Sequence, residues 1–291
     1  MRAGRPSRTA DRVALRRAAH QLIDHPLVLE DPIAIPLLGA EQAAALRADP
    51  RGAQAGPFAA HLRAFLVVRS RLTEDLLADH VARGLAQYVV LGAGLDSFAY
   101  RNPHPGLRVF EIDHPATQAF KRERLAQAGI TPPPSLRYVP VDFERDRLDR
   151  ALEGAGLDPS RPAFFSWLGV VPYLERAAIR ATFAVVVAAT RAGGALVFDY
   201  GLKPSRLPFA QRLVVEAFAA RLRAAGEPWL SFFDPPELAQ ELRAAGFEGV
   251  DDWDRERLTA RYLAHREDDL VLGGAGRIAV ASRPLARPAG T

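Results

Sequence analysis

The residues best suited to chemistry lie between Gln87 and Asp113, in QYVVLGAGLDSFAYRNPHPGLRVFEID. Tyr88–Leu91 is an apolar run bounded by glycine and reads as a buried strand. Gly92-Ala93-Gly94 follows at once, where the chain must turn sharply and a ligand can approach the backbone. A second strand, Leu107–Ile112, ends on Asp113, 21 residues after Gly92. That spacing belongs to a dinucleotide-type βαβ unit, in which the glycine turn passes beneath the ligand and an acidic tip accepts hydrogen bonds from a ribose diol. Gly92, Gly94 and Asp113 are therefore candidates for holding a nucleoside cofactor.

The missing residues narrow the choice. A nicotinamide site would want G-x-G-x-x-G, and Ser97 occupies the third glycine position; no GK[ST] follows, which excludes a P-loop. The third glycine lets a helix pack closely beside a pyrophosphate held by helix-terminal N–H groups. A turn of Gly-Ala-Gly followed by Leu95-Asp96 is better suited to a cofactor without phosphate. S-adenosylmethionine fits, with its adenosine, sulfonium and amino acid tail. An NAD-dependent oxidoreductase and a non-catalytic S-adenosylmethionine-binding protein are the competing readings, and an ordinary strand-to-helix turn would carry the same glycines.

VVLGAGLDSFAYR, then FEIDHPATQAFKRERL, then RYVPVDFERD, together resemble the leucine carboxyl methyltransferase family, and most of all its large bacterial branch of S-adenosylmethionine-dependent O-methyltransferases. The resemblance runs from about Ser7 to Ser282. It implies a class I methyltransferase fold with S-adenosyl-L-methionine as methyl donor, and it does not name the acceptor. It also implies roles: an arginine on the helix before the first strand holds the cofactor's carboxylate, a position matched by Arg69, with Arg71 close by. A planar guanidinium grips a carboxylate through two parallel hydrogen bonds, which lysine cannot do. Asp142 and Phe143 match the residues that contact the adenine; Asp142 could equally cap the helix that follows. Where eukaryotic members carry a cofactor-binding glutamate, this chain has Trp167-Leu168, so the ammonium falls to a backbone carbonyl, of Gly92 or Trp167.

Composition frames these residues. A chain of 291 residues, 48% hydrophobic and 25% charged, is long enough to bury a full core. It has no cysteine, which excludes disulfides, thiolate nucleophiles and cysteine-ligated metal. The net charge of +4 rests almost wholly on arginines spread along the chain, the only lysines being Lys121 and Lys203, and no basic face for nucleic acid emerges. Met1–Asp11 lacks an apolar signal core and no apolar run reaches spanning length, so a cytoplasmic protein without membrane contact is expected. No metal site is expected, and the oligomeric state is left open.

The elements that must position the site follow in order. Ser7–Gly39 reads as a helix broken up by Pro26, Pro32 and Pro36, Glu41–Ala48 as a short helix, and residues 1–57 as a helical cap over the cofactor site. Residues 58–291 form the methyltransferase domain, one structural domain with the cap. Phe58–Leu85 is a long amphipathic helix ended by Gly84. A crossover helix starts at Asp96–Tyr100 and is stopped by Asn102-Pro103; helices at Pro115–Gly129, Asp146–Gly154 and Glu175–Arg191 alternate with strands Leu136–Val141, Ala163–Trp167 and Ala195–Tyr200. A lid insertion covers about 203–230, helical from Pro208 to Ala225. Pro235–Ala245 is a helix capped by Asp234, and Phe247–Trp253 and Gly276–Ser282 are the last strands before a frayed tail, Arg287–Thr291.

The expected architecture is α/β, a Rossmann-like, mostly parallel seven-stranded sheet with an N-terminal helical cap and a helical lid. The expected reaction is methyl transfer to an oxygen, carboxylate or hydroxyl, of a small-molecule acceptor such as a natural-product intermediate. A carboxylate acceptor is already ionised and needs no base; a hydroxyl needs one. Tyr173, Tyr200 and His265 are the titratable groups expected near the mouth, and no catalytic residue is assigned among them.

Overall fold

The computed structural model describes residues 8–285 apart from 57, 144 and 225. The expected helix start at Ser7 and the tail at Arg287–Thr291 lie outside the described residues. The strands are β1 (Gln87–Leu91), β2 (Arg108–Asp113), β3 (Leu136–Pro140), β4 (Ala163–Trp167), β5 (Gly194–Gly201), β6 (Gly249–Trp253) and β7 (Gly276–Arg283). They form one sheet in the order β3-β2-β1-β4-β5-β7-β6. All neighbours run parallel except β7, which pairs antiparallel with β5 and β6. The strand order reverses between β1 and β4, and ligands of such sheets bind outside the carboxyl ends of the strands at that crevice.

Why these segments are strands is written in their side chains. β1 and β4 are buried at every position, as a sheet covered on both faces demands. Alternate residues feed two cores. Val89 and Leu91 join Phe110, Phe165, Trp167, Phe183 and Phe247 on one face. Tyr88 and Val90 join Phe164 and the apolar side of α3 (Ala59–Val81), including Val67, Leu72 and Leu77, on the other. A third cluster ties α1 (Arg8–Ile23) and α2 (Ala40–Ala48) to Leu95 and Leu125, so the N-terminal segment is packed against the glycine loop and α4 (Pro115–Gln127).

The remaining helices are α5 (Leu148–Gly154), α6 (Arg176–Ala189), α7 (Phe209–Ala224), α8 (Pro235–Ala245) and α9 (Arg255–Tyr262). Three expectations need correction. The crossover helix at Asp96–Tyr100 is only a single 3-10 turn, Phe98–Tyr100, because Asn102-Pro103 leaves no room for another. Asp234 stands at the start of α8, but its carboxylate takes Arg206 instead of capping the helix. Asp142 does not cap α5, which starts six residues later at Leu148; its carbonyl instead closes a turn by accepting from Arg145 and Asp146. α9 was not expected from the sequence at all: only Leu258 is buried along it, and its start is set by Asp254, which accepts the amide of Arg257.

Candidate active site

The turn after β1 is built on two glycines with positive φ, 66° at Gly92 and 49° at Gly94, a region that side-chain-bearing residues avoid. Gly92 is also crowded, while Gly94 stands at ordinary contact distance from its neighbour. A Cβ on Gly92 would lie 2.5 Å from Cγ2 of Val170, in the loop after β4, and one on Gly94 would lie 3.4 Å from Cβ of Ala10 on α1. α1 and the β4 loop therefore approach the same turn from two sides. A cleft beside Glu74 and His104 and another beside Arg83 and Glu248 are not lined by either glycine.

Asp113 ends β2 beside this turn. Its Oδ2 accepts the Gly94 amide at 2.5 Å and its Oδ1 accepts the His114 amide at 2.7 Å. Each oxygen keeps acceptor capacity on its outer side. Burial pushes this carboxyl's pKa above the usual range, opposed by those two amides. On the neighbouring strand the Val141 amide donates to the Asp113 carbonyl at 2.9 Å, which sets Asp142 and Phe143 just beyond, along the same edge. The Asp142 carboxylate lies 3.7 Å from the Arg145 guanidinium, and the Phe143 ring is 38% exposed.

Arg69 reaches the same edge from α3 and is 7% exposed. Its Nη1 donates to Oδ2 of Asp199 at 2.8 Å. Its Nε is buried without a hydrogen-bond partner. Gly169, with φ at 73°, lies over the guanidinium: a Cβ there would sit 2.9 Å from Nη2. Arg71, by contrast, is half exposed and pairs with Asp75 one turn along, at 2.7 Å. Arg69, Gly92, Gly94 and Asp113 thus lie at the carboxyl ends of β1, β2, β4 and β5, with Asp142 and Phe143 one strand further out.

Two features of this patch were not read from the sequence. The first is Asp199, 5% exposed near the end of β5, whose Oδ1 accepts the Gly169 amide at 2.5 Å while Oδ2 holds Arg69. The second is a buried ionic network beneath the glycine loop. Arg17 of α1 donates to the Leu95 carbonyl at 3.1 Å and to Ser97 Oγ at 2.8 Å, and pairs with Asp31 at 3.1 Å. Ser97 Oγ in turn donates to Asp31 at 2.6 Å, and Arg101 bridges Asp31 and Glu74. The serine that replaces a third glycine is fully buried because its hydroxyl completes this network. Below Asp113, Glu111 pairs with Lys121 at 2.7 Å, both 1% exposed, and burial lifts the Glu111 pKa to about 7 against the pull of the lysine.

Two of the expected mouth residues are elsewhere. Tyr200 is buried and donates its hydroxyl to Asp252 at 2.7 Å; burial and that carboxylate push its ionisation far up. His265 is exposed in a left-handed turn on the surface. Tyr173 does stay in the β4 loop, half buried. The segment after α7 is fastened to that loop: the Leu230 amide donates to the Pro172 carbonyl at 2.7 Å, and Ser231 Oγ donates to the Leu174 carbonyl.

Residues 10–187 match the model of the family described as leucine carboxyl methyltransferase. The chain belongs to that family. It is 29% identical to YktD of Bacillus subtilis (strain 168), a protein named provisionally as an S-adenosyl-L-methionine-dependent methyltransferase, over 93% of this chain and 95% of that one. A similarly named protein of Mycobacterium bovis (strain BCG) is 30% identical over 92% of this chain and 81% of its own. Among solved structures, a methyltransferase from Thermobifida fusca, also provisionally named, superposes with a TM-score of 0.56 at 17% identity, covering 96% of each chain, which shows the fold. The protein is a methyltransferase of the class I fold, and its cofactor is S-adenosyl-L-methionine. Among the described residues, no helix is long and apolar enough to cross a membrane.

Proposed function

We propose that this family member transfers a methyl group to an oxygen of a small-molecule acceptor, a carboxylate in preference to a hydroxyl, in the cytoplasm. One observation carries the reading: two of the three titratable groups expected at the mouth, Tyr200 and His265, face elsewhere, and burial together with Asp252 keeps the Tyr200 hydroxyl protonated. A carboxylate acceptor needs no base, because it is ionised at neutral pH. The family's name, a carboxyl methyltransferase, supports the same choice.

The residues fit the cofactor. Arg69 has a buried Nε without a partner, and Nε with Nη2 forms the guanidinium edge that receives a carboxylate side-on. That edge would take the amino acid tail. Asp113 would take the ribose diol with the outer sides of its two oxygens, Gly92 and Gly94 would lie under the nucleoside, and Asp142 with the exposed face of Phe143 would contact the adenine. A carbonyl of Gly92 or Trp167 would take the ammonium. The bound cofactor supplies a methyl group activated by the adjoining sulfonium, so the protein's task is alignment and exclusion of water. The Val170–Gly92 contact and the fastening of the Leu230–Ser231 segment to the β4 loop support that task. We read residues 1–57 as a cap, 58–291 as the methyltransferase domain, about 203–230 as its lid, and the whole as a single domain.

Incubation with methyl-labelled S-adenosylmethionine and a panel of small carboxylic acids and phenols tests the proposal. Label released by mild alkali, as from a methyl ester, is the expected result. Label found only on phenols or amines overturns the carboxylate reading.

A further inference from the structure

The two oxygens of Asp199 hold two different parts of the site. Oδ2 accepts from Nη1 of Arg69 on α3, and Oδ1 accepts from the amide of Gly169 in the loop after β4. The planar guanidinium ends a long side chain with several rotatable bonds, and its Nε–Nη2 edge points in one direction only while Nη1 is held. Gly169 lies so close over the guanidinium that a Cβ there would meet Nη2 at 2.9 Å, and the next residue, Val170, leaves Gly92 no room for one. A single buried carboxylate thereby fixes the arginine, the loop and, through Val170, the glycine turn.

We propose that Asp199 is a positioning residue for methyl transfer: it orients Arg69 toward the cofactor's carboxylate and holds the loop over the reacting centre. The proposal rests on the reading of Arg69 as the cofactor clamp. A carboxylate beside the clamp would, by charge alone, weaken the hold on another carboxylate, so its placement makes sense as geometry, not as attraction. The alternative is an ion pair that merely stabilises the fold, burying Asp199 at 5% exposure and Arg69 at 7%. The two differ in what happens to ligands with and without the amino acid tail.

The substitution Asp199→Asn keeps size and one acceptor but turns an N–H₂ toward either Arg69 or the Gly169 amide, so one of the two bonds is lost. S-adenosylhomocysteine and adenosine are titrated calorimetrically against the wild-type chain, Asp199→Asn, Asp199→Glu and Arg69→Lys, each first checked for cooperative unfolding. Asp199→Asn should lose about tenfold or more in affinity for S-adenosylhomocysteine, the scale of one charged hydrogen bond, with adenosine affinity unchanged. Asp199→Glu, which keeps both acceptors, should recover part of that loss. Equal loss for both ligands, no loss, or a gain for S-adenosylhomocysteine overturns the proposal. If Arg69→Lys leaves the tail's contribution intact, the clamp reading itself has failed; a tail-specific loss in Arg69→Lys without one in Asp199→Asn leaves the clamp standing and removes Asp199.

Discussion

The carboxylate of Asp113 accepts the amide of Gly94 at 2.5 Å, so the tip of β2 and the turn after β1 form one hydrogen-bonded unit. The consequence is that Asp113 shapes the glycine turn as well as standing, on the proposed reading, where the ribose would lie. Asp113→Ala should weaken S-adenosylhomocysteine binding by about 2–4 kcal/mol, the loss of two charge-assisted bonds. Because burial raises the Asp113 pKa, binding should also fall at a less acidic pH than for a free carboxylate, as protonation removes an acceptor. Calorimetric titration across pH checks both; an Asp113→Ala affinity equal to wild type would reduce Asp113 to a backbone prop.

At Gly92 the turn tolerates no side chain. Gly92→Ala would place a methyl 2.5 Å from Val170 at a φ of 66°, forcing the β4 loop away. The conformational strain is about 1–2 kcal/mol, and the loss of activity should exceed the loss of stability because the loop moves. Denaturant melts beside turnover rates separate the two effects.

How much of this could be seen in the sequence depended on the range of the interaction. β1 and β4 were legible because each is a largely apolar run beside a turn signal, β2 because Val109, Phe110 and Ile112 lead to an acidic tip, and Gly92, Gly94 and Asp113 because their spacing is local. Asp199 was not: a lone acid in LVFDYG gives no sign of a partner 130 residues earlier on α3. Ser97 looked like a mere departure from a glycine pattern, since Arg17 and Asp31, which explain it, lie in the cap. α9 escaped because a helix with one buried side chain carries no apolar period.

Arg17 links α1 to the segment after the glycine turn. Arg17→Leu would leave Asp31, fully buried, short of a charge partner, at a cost of about 3–5 kcal/mol. Loosening of Leu95 and Ser97 should also lower affinity for S-adenosylhomocysteine. Urea unfolding and ligand titration of the same preparation measure both; stability unchanged within error would mean that Arg101 alone compensates Asp31.

Glu111 and Lys121 make a pH prediction. The folded pKa of Glu111, about 7, is above its ordinary 4.5, so its contribution to stability is full below 4.5 and is lost as pH rises through about 7. Glu111→Leu alone leaves a buried ammonium and should cost about 3–5 kcal/mol, whereas Glu111→Leu with Lys121→Met should be near neutral. Compared with that double variant, the wild type should lose stability between about pH 5 and about pH 8 in urea melts. A gain over that interval would contradict the assignment.

The proposed clamp at Arg69 would hold the cofactor's amino acid tail. Arg69→Lys keeps the charge and removes the side-on edge formed by Nε and Nη2. The measurement is calorimetric titration of S-adenosylhomocysteine and adenosine against wild type and Arg69→Lys. If Arg69 is the clamp, S-adenosylhomocysteine loses about 1–3 kcal/mol, the scale of a hydrogen bond to a charged group, and adenosine loses none. Equal losses for the two ligands, or none for either, would contradict it.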